Sequence, residues 1–373
     1  MTVGAEPART VRILVATVSH RGDDARILHR QIAALLEAGC RVVYVAPLPR
    51  AEQAGLEHIV IPRATGRRRP AAWLAAARAV RAHRDEVDLV LVHDLELVLP
   101  ARVAAWRRRV VWDVHEDLVQ SVADRSWIPR AFRPAARALV ALTERVATFG
   151  IRLLLAETSY ADRFGPWPVV PNTTPVPDSL APYSGGSRPR LVYVGRISWS
   201  RGLGAMIEVG RRLGDACTVE LVGAADADAE DALEAAVGDG VVTWHGYLPN
   251  SDALALTEGA LAGLSLLQSH GNFVGSMPTK IFEYLARGVP VITTPLPLAE
   301  GVVNDAEAGF TVGFDDVAAV VDATSQLMSS PGLREEMGRR GYDWVAAHHD
   351  WRVDGAEFAA TIIDWSADDH AVG

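Results

Sequence analysis

Short runs of β-branched and aliphatic residues alternate with longer Ala- and Leu-rich segments, and the alternation comes in two series. The first is expected to give strands over Val11–Thr17, Arg41–Ala46, Asp88–Val92, Val110–Val114, Ile151–Leu155 and, briefly, Pro168–Val170. Helices are expected between them over Ala25–Ala38, Ala71–His83, Leu95–Arg107 and Arg133–Thr148. The strand segments are near-continuous apolar runs, as in parallel strands buried on both faces. Strand–helix alternation of this kind predicts an α/β fold with an open, doubly wound sheet. The pattern then breaks at 171–190, PNTTPVPDSLAPYSGGSRPR, where five prolines and a Gly-Gly pair read as a linker. It resumes with strands over Leu191–Val194, Thr218–Val222, Val241–Trp244, Gly263–Leu267 and Val289–Thr293. Helices are expected there over Gly202–Leu213, Ala229–Val237, Ser251–Gly259 and Thr279–Ala286, and then over Val317–Met328, Pro331–Ala347 and Gly355–Trp365. The expected organisation is therefore a doubly wound domain over 1–170, a linker over 171–190 and a second doubly wound domain over 191–350. A C-terminal helix over 351–373 follows. In such sheets ligands sit beyond the carboxyl ends of the strands, so two of them imply a cleft with one substrate per domain.

Composition narrows the function. A chain of 373 residues with 49% hydrophobic and 22% charged residues fits a soluble globular protein of two ordinary domains. No apolar run approaches the roughly 20 residues of a membrane span, and MTVGAEPART carries no secretion-signal core. Cys40 and Cys217 lie far apart and give neither a disulfide framework nor a metal spacing, which fits a reduced, cytoplasmic setting. The net charge of −9 divides unevenly: residues 1–170 hold 25 Arg against 18 Asp and Glu, a balance of +7, leaving −16 for the rest. The basic clusters are Arg63 with Arg67–Arg69, Arg107–Arg109, and Arg130 with Arg133 and Arg137. They lack the aromatic interleaving and the motifs of nucleic-acid binding. An anionic membrane surface and an ordinary solvated face both fit them.

Lys280 is the single lysine among 37 Lys and Arg residues. An Arg-rich composition explains the arginines but not the retention of one compact ammonium. Lys meets an oxygen end-on, whereas Arg presents a rigid planar fork. Lys280 lies in a loop-to-helix passage, Gly275-Ser276-Met277-Pro278-Thr279, and stands three residues before Glu283 on one expected helical face. There a cation and a carboxylate could meet a phosphate and a pair of ribose hydroxyls; an i,i+3 surface ion pair is the simpler alternative. A second passage, VGRISWSRGL over 194–203, ends a strand at Gly195 and sets Arg196 and Arg201 around a helix start. Guanidiniums at a helix N-terminus suit a diphosphate.

In the first half, His20 with Asp24 and Arg26, His93 with Asp94, and His115 with Glu116 each follow an expected strand. These residues are placed to bind a hydroxylated acceptor, while capping by Asp23 or Asp24 is a structural alternative. The pairs lack metal-ligand spacing, so no metal is expected. Asp226-Ala227-Asp228 has the shape of a metal-binding D-x-D but reads as acids at a helix start.

These residues resemble a known family. PTKIFEYLARGVPVITT (278–294) is similar to the P-x-K-x-x-E-Y-x-A-x-G-x-P-V-I signature in one branch of the family-four retaining glycosyltransferases of GT-B fold. VGRISWSRGL resembles that family's V-G-R-x-x-x-x-K-G-L, with Arg201 in place of Lys. SHRGDDARI (19–27), WDVHED (112–117) and VVPNTTP (169–175, with Asn172) resemble further segments in the right order, so the resemblance spans nearly the whole chain.

The resemblance implies two Rossmann-like domains, a C-terminal helix over 351–373 that crosses back to the first of them, and a nucleotide-diphosphate sugar as co-substrate, with no metal required. It assigns Arg196 and Arg201 to the leaving diphosphate, with Lys280 beside them. Glu283 would take the ribose, Gly246 and Tyr247 the nucleobase pocket, and His115 the transferred sugar. One departure stands out: many members carry a second Glu where this chain has Gly275, so the sugar contact passes to Lys280 or to backbone N–H groups of Ser276, Met277, Pro278 and Thr279 (the proline offering none). A GT-B sugar-nucleotide epimerase and a catalytically silent nucleotide-sugar-binding homologue are the alternatives. The acceptor is expected to be lipid-linked or a natural product, and the enzyme cytoplasmic or peripheral at the inner membrane face.

Overall fold

A computed structural model describes residues 9–106, 108–116, 118–119, 122, 128–180 and 188–367. The chain divides into two units, Met1–Asn172 with Arg352–Gly373, and Thr173–Trp351. Each is built on a six-stranded, all-parallel sheet.

In the first unit the strands are β1 (Arg12–Ala16), β2 (Arg41–Ala46), β3 (Leu56–Val60), β4 (Leu89–Val92), β5 (Arg109–Val114) and β6 (Arg152–Leu155), in the order β3-β2-β1-β4-β5-β6. The second has β7 (Arg190–Val194), β8 (Thr218–Val222), β9 (Thr243–Trp244), β10 (Ala262–Ser265), β11 (Val291–Thr293) and β12 (Gly309–Thr311), in the order β12-β11-β10-β7-β8-β9. Both orders are the doubly wound pattern, with the winding reversing between β1 and β4 and between β7 and β10. Side chains just past those strands line the crevice where such sheets hold ligands.

The cores follow from the strand sequences. Leu89, Val90, Leu91 and Val92 of β4 are wholly buried, as both faces are covered by helices. In the second unit β10 carries Gly263 because the Tyr284 ring lies on it: a Cβ at that position would fall 2.2 Å from Tyr284 Cδ2. The Tyr284 hydroxyl in turn accepts from Val194 N at 2.9 Å and reaches Leu264 O at 3.3 Å. It joins β7 to β10 where their ladder has ended.

Several expectations differ from the structure. Strands β3 and β12 were not foreseen; both are edge strands, only partly buried, and β3 carries polar Glu57 and His58. The expected strand over 168–170 is a single bridge between Val169 and Leu155. The segment expected as a free linker is in part packed into the second unit. Val176 lies in its core and donates its N–H to Asp350 Oδ1 at 3.2 Å, and Pro177 O accepts from the Tyr342 hydroxyl at 2.6 Å; residues 181–187 lie outside the described residues. Apart from these differences, the final helix, Trp351–Ala367, expected to cross back to the first domain, lies with the first unit from Arg352 on, where Arg109 Nη1 donates to Ser366 O at 2.6 Å and Trp365 meets Trp167 edge-on.

Candidate active site

In the first unit the crevice side chains form one hydrogen-bonded cluster. Past β1, Thr17 Oγ1 and Val18 N donate to Asp94 Oδ2 at 2.9 and 2.7 Å. Asp94, expected as an acceptor ligand, thus anchors the loop that carries His20. His20 Nδ1 lies 3.3 Å from Asp24 Oδ2, and His20 Nε2 lies 3.0 Å from His115 Nε2. His115 Nδ1 is 3.1 Å from the Asp113 carbonyl oxygen.

The proton positions follow from what each acceptor requires. A carbonyl oxygen only accepts, so His115 Nδ1 carries the hydrogen and His115 Nε2 is left as an acceptor. His20 Nε2 must then be the donor, and His20 Nδ1 donates to the Asp24 carboxylate. Both His20 nitrogens carry protons, and His20 is an imidazolium. Burial alone would pull its pKa down, but the hydrogen bond and charge of Asp24, joined by Asp94 and Glu116, raise it to about 9. Burial pushes the Asp24 carboxyl up, and the hydrogen bond and charge of His20 override this and hold it below the usual carboxylate range. His115 is lowered by burial first and by the His20 charge second, as a neutral ring requires.

Beneath this pair lies Asp113, fully buried at the end of β5. Arg26 Nε and Nη2 grip its two oxygens at 2.8 and 2.7 Å, Gln31 Nε2 donates to Oδ2 at 3.0 Å, and His93 Nδ1 sits 3.1 Å from Oδ2. Burial would raise this carboxyl; the charge and hydrogen bonds of Arg26 hold it well below the carboxylate range. Arg26 and Gln31 are five residues apart. They reach one carboxylate because the helix opens with a π-turn over Ile27–Ile32, Gln31 N donating to Arg26 O at 2.9 Å. Arg26 was expected to face the acceptor; its guanidinium is instead buried behind the site and neutralised there. Asp113 and Gln31 were missed in the sequence, although an acid closing the apolar run RVVWDV was a readable signal.

His93, Asp113 and His115 offer three ligand atoms within 4.8 Å of one another. They do not fit a cation: Asp113 is already paired with Arg26, whose positive charge would oppose a metal ion at the same oxygens.

The second cluster lies past β7. Lys280, in the helix Thr279–Leu285, is only 6% exposed. Its Nζ sits 3.5 Å from the centroid of the Tyr193 ring and has no hydrogen-bond partner among the described residues. Gly195 makes room for it: at φ +130° and with no side chain, a Cβ there would lie 3.3 Å from Nζ. Burial, and secondarily the Arg201 charge, hold the ammonium's pKa well below the ordinary lysine value, with Glu283 opposing. Arg201 stands 5.1 Å over the Phe273 ring, and its charge and hydrogen bond act against burial at the Tyr193 phenol, which is pushed up to about 12. The group is a concentration of positive charge with too little negative charge inside it.

The other expected residues are placed as follows within their own units. Arg196 is mostly exposed and its Nε is bonded to Asp226, so it stands apart from the buried cation group. Asp226 also donates its N–H to Ile197 O at 2.9 Å, which makes it a loop-holding residue ahead of the helix Glu230–Gly238. Glu283 is buried one turn beyond Lys280. Gly246, at φ +67°, accepts from Gly223 N at 2.7 Å, and Tyr247 beside it is exposed. Ser276, Met277 and Pro278 are half-buried at the entry to the Lys280 helix, whose first residue is Thr279. Glu116 is exposed beside His115. At Gly275 a Cβ would meet open space, so nothing steric demands glycine there. Asn172 accepts from Arg30 within the first unit.

Residues 183–344 match the family model described as glycosyl transferases, group 1. No curated protein sequence matches the chain. Among solved structures, sucrose-phosphate synthase from Thermosynechococcus elongatus is similar with a TM-score of 0.72 at 16% identity, over 96% of this chain and 100% of that one. HepE from Anabaena, in complex with UDP, gives 0.67 at 14% identity over 95% and 100%. WaaG, a glycosyltransferase involved in lipopolysaccharide biosynthesis, gives 0.67 at 16% identity over 94% and 99%.

Proposed function

With a group 1 glycosyl transferase domain over 183–344 and the GT-B fold as premise, we propose that this protein moves a glycosyl group from a nucleotide diphosphate sugar to an acceptor hydroxyl, with retention and without a metal. The observation that carries this is Lys280, a buried ammonium with no hydrogen-bond partner among the described residues, set against Gly195 and near Arg201. A group so costly to bury unpaired fits a site completed by an anionic ligand. As the bond from the anomeric carbon to the phosphate oxygen breaks, negative charge grows on the diphosphate, and Lys280 and Arg201 stabilise it from fixed positions. Arg196 would join them by leaving Asp226. Glu283 takes the ribose hydroxyls, and Gly246 with Tyr247 borders the base. The complexes of HepE with UDP and with UDP-glucose make a uridine donor the first to test.

The first unit takes the acceptor. An acceptor hydroxyl enters by replacing His115 as the partner of His20 Nε2, accepting its hydrogen while its own points to the departing phosphate oxygen, and His115 Nε2, so released, accepts from a hydroxyl of the transferred sugar. The acceptor oxygen attacks the anomeric carbon on the face the diphosphate leaves, and its proton passes to the departing phosphate oxygen. The products are a glycoside and a nucleoside diphosphate. The acceptor we favour is lipid-linked.

Calorimetric titration with UDP, GDP, ADP and TDP, with and without EDTA, tests the donor reading. Selective binding of one diphosphate that survives EDTA, weakened about 10²-fold in Lys280→Ala, is expected. Binding that requires a divalent ion, or an unaffected Lys280→Ala, would remove the metal-free clamp.

A further inference from the structure

The helix Arg133–Thr148 turns its apolar stripe to solvent. Leu139, Leu142 and Val146 are 65%, 58% and 50% exposed, and Phe132 and Phe149 at its two ends are 66% and 80% exposed. At 100° per residue these five positions fall within one arc of about 100°. The opposite side faces the core through Glu144, paired with Arg163 at 3.0 Å, and Ala147. The neighbouring helix Leu95–Ala105 packs beside it and adds exposed Leu99 and Val103, with Trp106 following at its end. This spacing repeats i, i+4, i+7, so two adjacent helices present one apolar face.

We propose that this face docks the protein on an anionic lipid bilayer, lying in its interface. Charge selects the occupant. Arg145 is exposed at the border of this stripe and Arg102, half-buried, lies at the border of the neighbouring helix's stripe; neither holds an ion pair among the described residues. The only acid of the helix Arg133–Thr148, Glu144, points inward. A second copy of the chain seated face to face would set these arginines against their own counterparts, whereas an anionic surface complements them. Among the described residues no helix is long and apolar enough to cross a membrane. A pair of helices with aromatic and leucine residues on one side and an arginine at the border of each stripe is suited to the headgroup boundary. The inference rests on the lipid-linked acceptor reading and supplies the surface that would bring the first unit to such a substrate.

The test is flotation of the full chain with vesicles of phosphatidylcholine alone or with about one-third phosphatidylglycerol, without donor or acceptor. Expected is binding at least tenfold stronger to the anionic vesicles and weakened by salt. Leu139→Glu with Leu142→Glu should abolish it, and Arg102→Ala with Arg145→Ala should weaken it roughly 30-fold. The far-ultraviolet circular dichroism and cooperative thermal unfolding of both variants, measured in parallel, should match those of the parent and so report an intact fold. Equal binding to both vesicle types, no binding to either, or unchanged binding by the double variants would overturn the proposal. So would a concentration-dependent dimer that the Glu variant dissolves, since a second copy would then own the face. The readout needs no turnover, so failed transferase chemistry with intact flotation would sink the activity and leave the docking face standing.

Discussion

Lys280→Met should make the protein more stable and less active at once. The ammonium is buried beneath Gly195 with no hydrogen-bond partner among the described residues. Taking such a group out of water costs several kcal/mol after relaxation. The Tyr193 ring at 3.5 Å returns roughly 1–2 kcal/mol, and the opposed charges of Arg201 and Glu283 partly cancel. What remains against the folded state is about 1–3 kcal/mol, and methionine keeps the stem and removes the charge. For a unit of this size that corresponds to a rise of roughly 3–8 °C in Tm. The pH dependence has a definite sign. The folded pKa lies below the unfolded value, so between the two the unfolded chain binds more protons and wild-type stability climbs with pH. The variant's advantage should therefore shrink from pH 7 toward pH 10. Adding UDP should reverse the ranking, because the wild type gains a partner for its ammonium and the variant does not. At a pH above the lowered folded pKa, binding to the wild type should also take up protons, visible as a buffer-dependent enthalpy. The assay is thermal unfolding across pH with and without UDP, together with turnover. A variant that is destabilised at pH 7, or that binds UDP as tightly as the parent, refutes the reading of Lys280 as an anion's waiting partner.

Two further substitutions follow from the same geometry. His20 is raised from 6.5 to about 9, so the His20–Asp24 pair contributes stability that is full below pH 6.5 and lost as pH rises through about 9. His20→Gln should cost about 1–3 kcal/mol at pH 6 and flatten the decline between pH 7 and 10. It should also shift the pH–rate profile through His115, and an unchanged profile would show that His20 does not govern that ring. Tyr284→Phe removes the acceptor of the buried Val194 N–H and should cost roughly 1–3 kcal/mol. The loss should be larger in unfolding free energy than in UDP affinity of the folded protein, and a variant as stable as wild type would mean the hydroxyl does not join the strands.

The strands that the sequence made legible are those whose burial is written locally. Leu89–Val92 and Arg41–Ala46 sit inside their sheets, and their apolar runs say so. Leu56–Val60 and Gly309–Thr311 were invisible because an edge strand takes its register from one neighbour and needs no apolar run of its own. The site was legible as a set of strand ends: His20, His93 and His115 could be placed at the crevice by the winding rule alone. Which partner each would take was not. Arg26 and Asp113 are separated by 87 positions, and nothing local announces that the guanidinium turns inward. Lys280 shows the same limit from the other side. Its singularity was plain in the sequence, but its burial depends on Tyr193 and Gly195, contributed by a distant strand.

The two clusters differ in how their charges are closed, and that difference argues for the division of substrates between the units. In the first, two charge pairs are closed at hydrogen-bond distance, His20 with Asp24 and Arg26 with Asp113, and the buried Asp94 carboxylate is held by Thr17 and Val18 with His20 3.8 Å away. A cluster closed in this way has little net field to offer an ion but holds donors and acceptors at fixed angles, which suits a neutral hydroxyl. In the second, Lys280 and Arg201 are near each other with Glu283 as the opposing charge, and the ammonium lacks a hydrogen bond among the described residues. That arrangement is strained until an anion enters, and the strain is relieved most by the species with the most negative charge at that point. For glycosyl transfer this is the departing diphosphate, in which the charge is greater than in the intact donor. The same uncompensated charge that destabilises the empty protein therefore favours the transition state over the bound substrate.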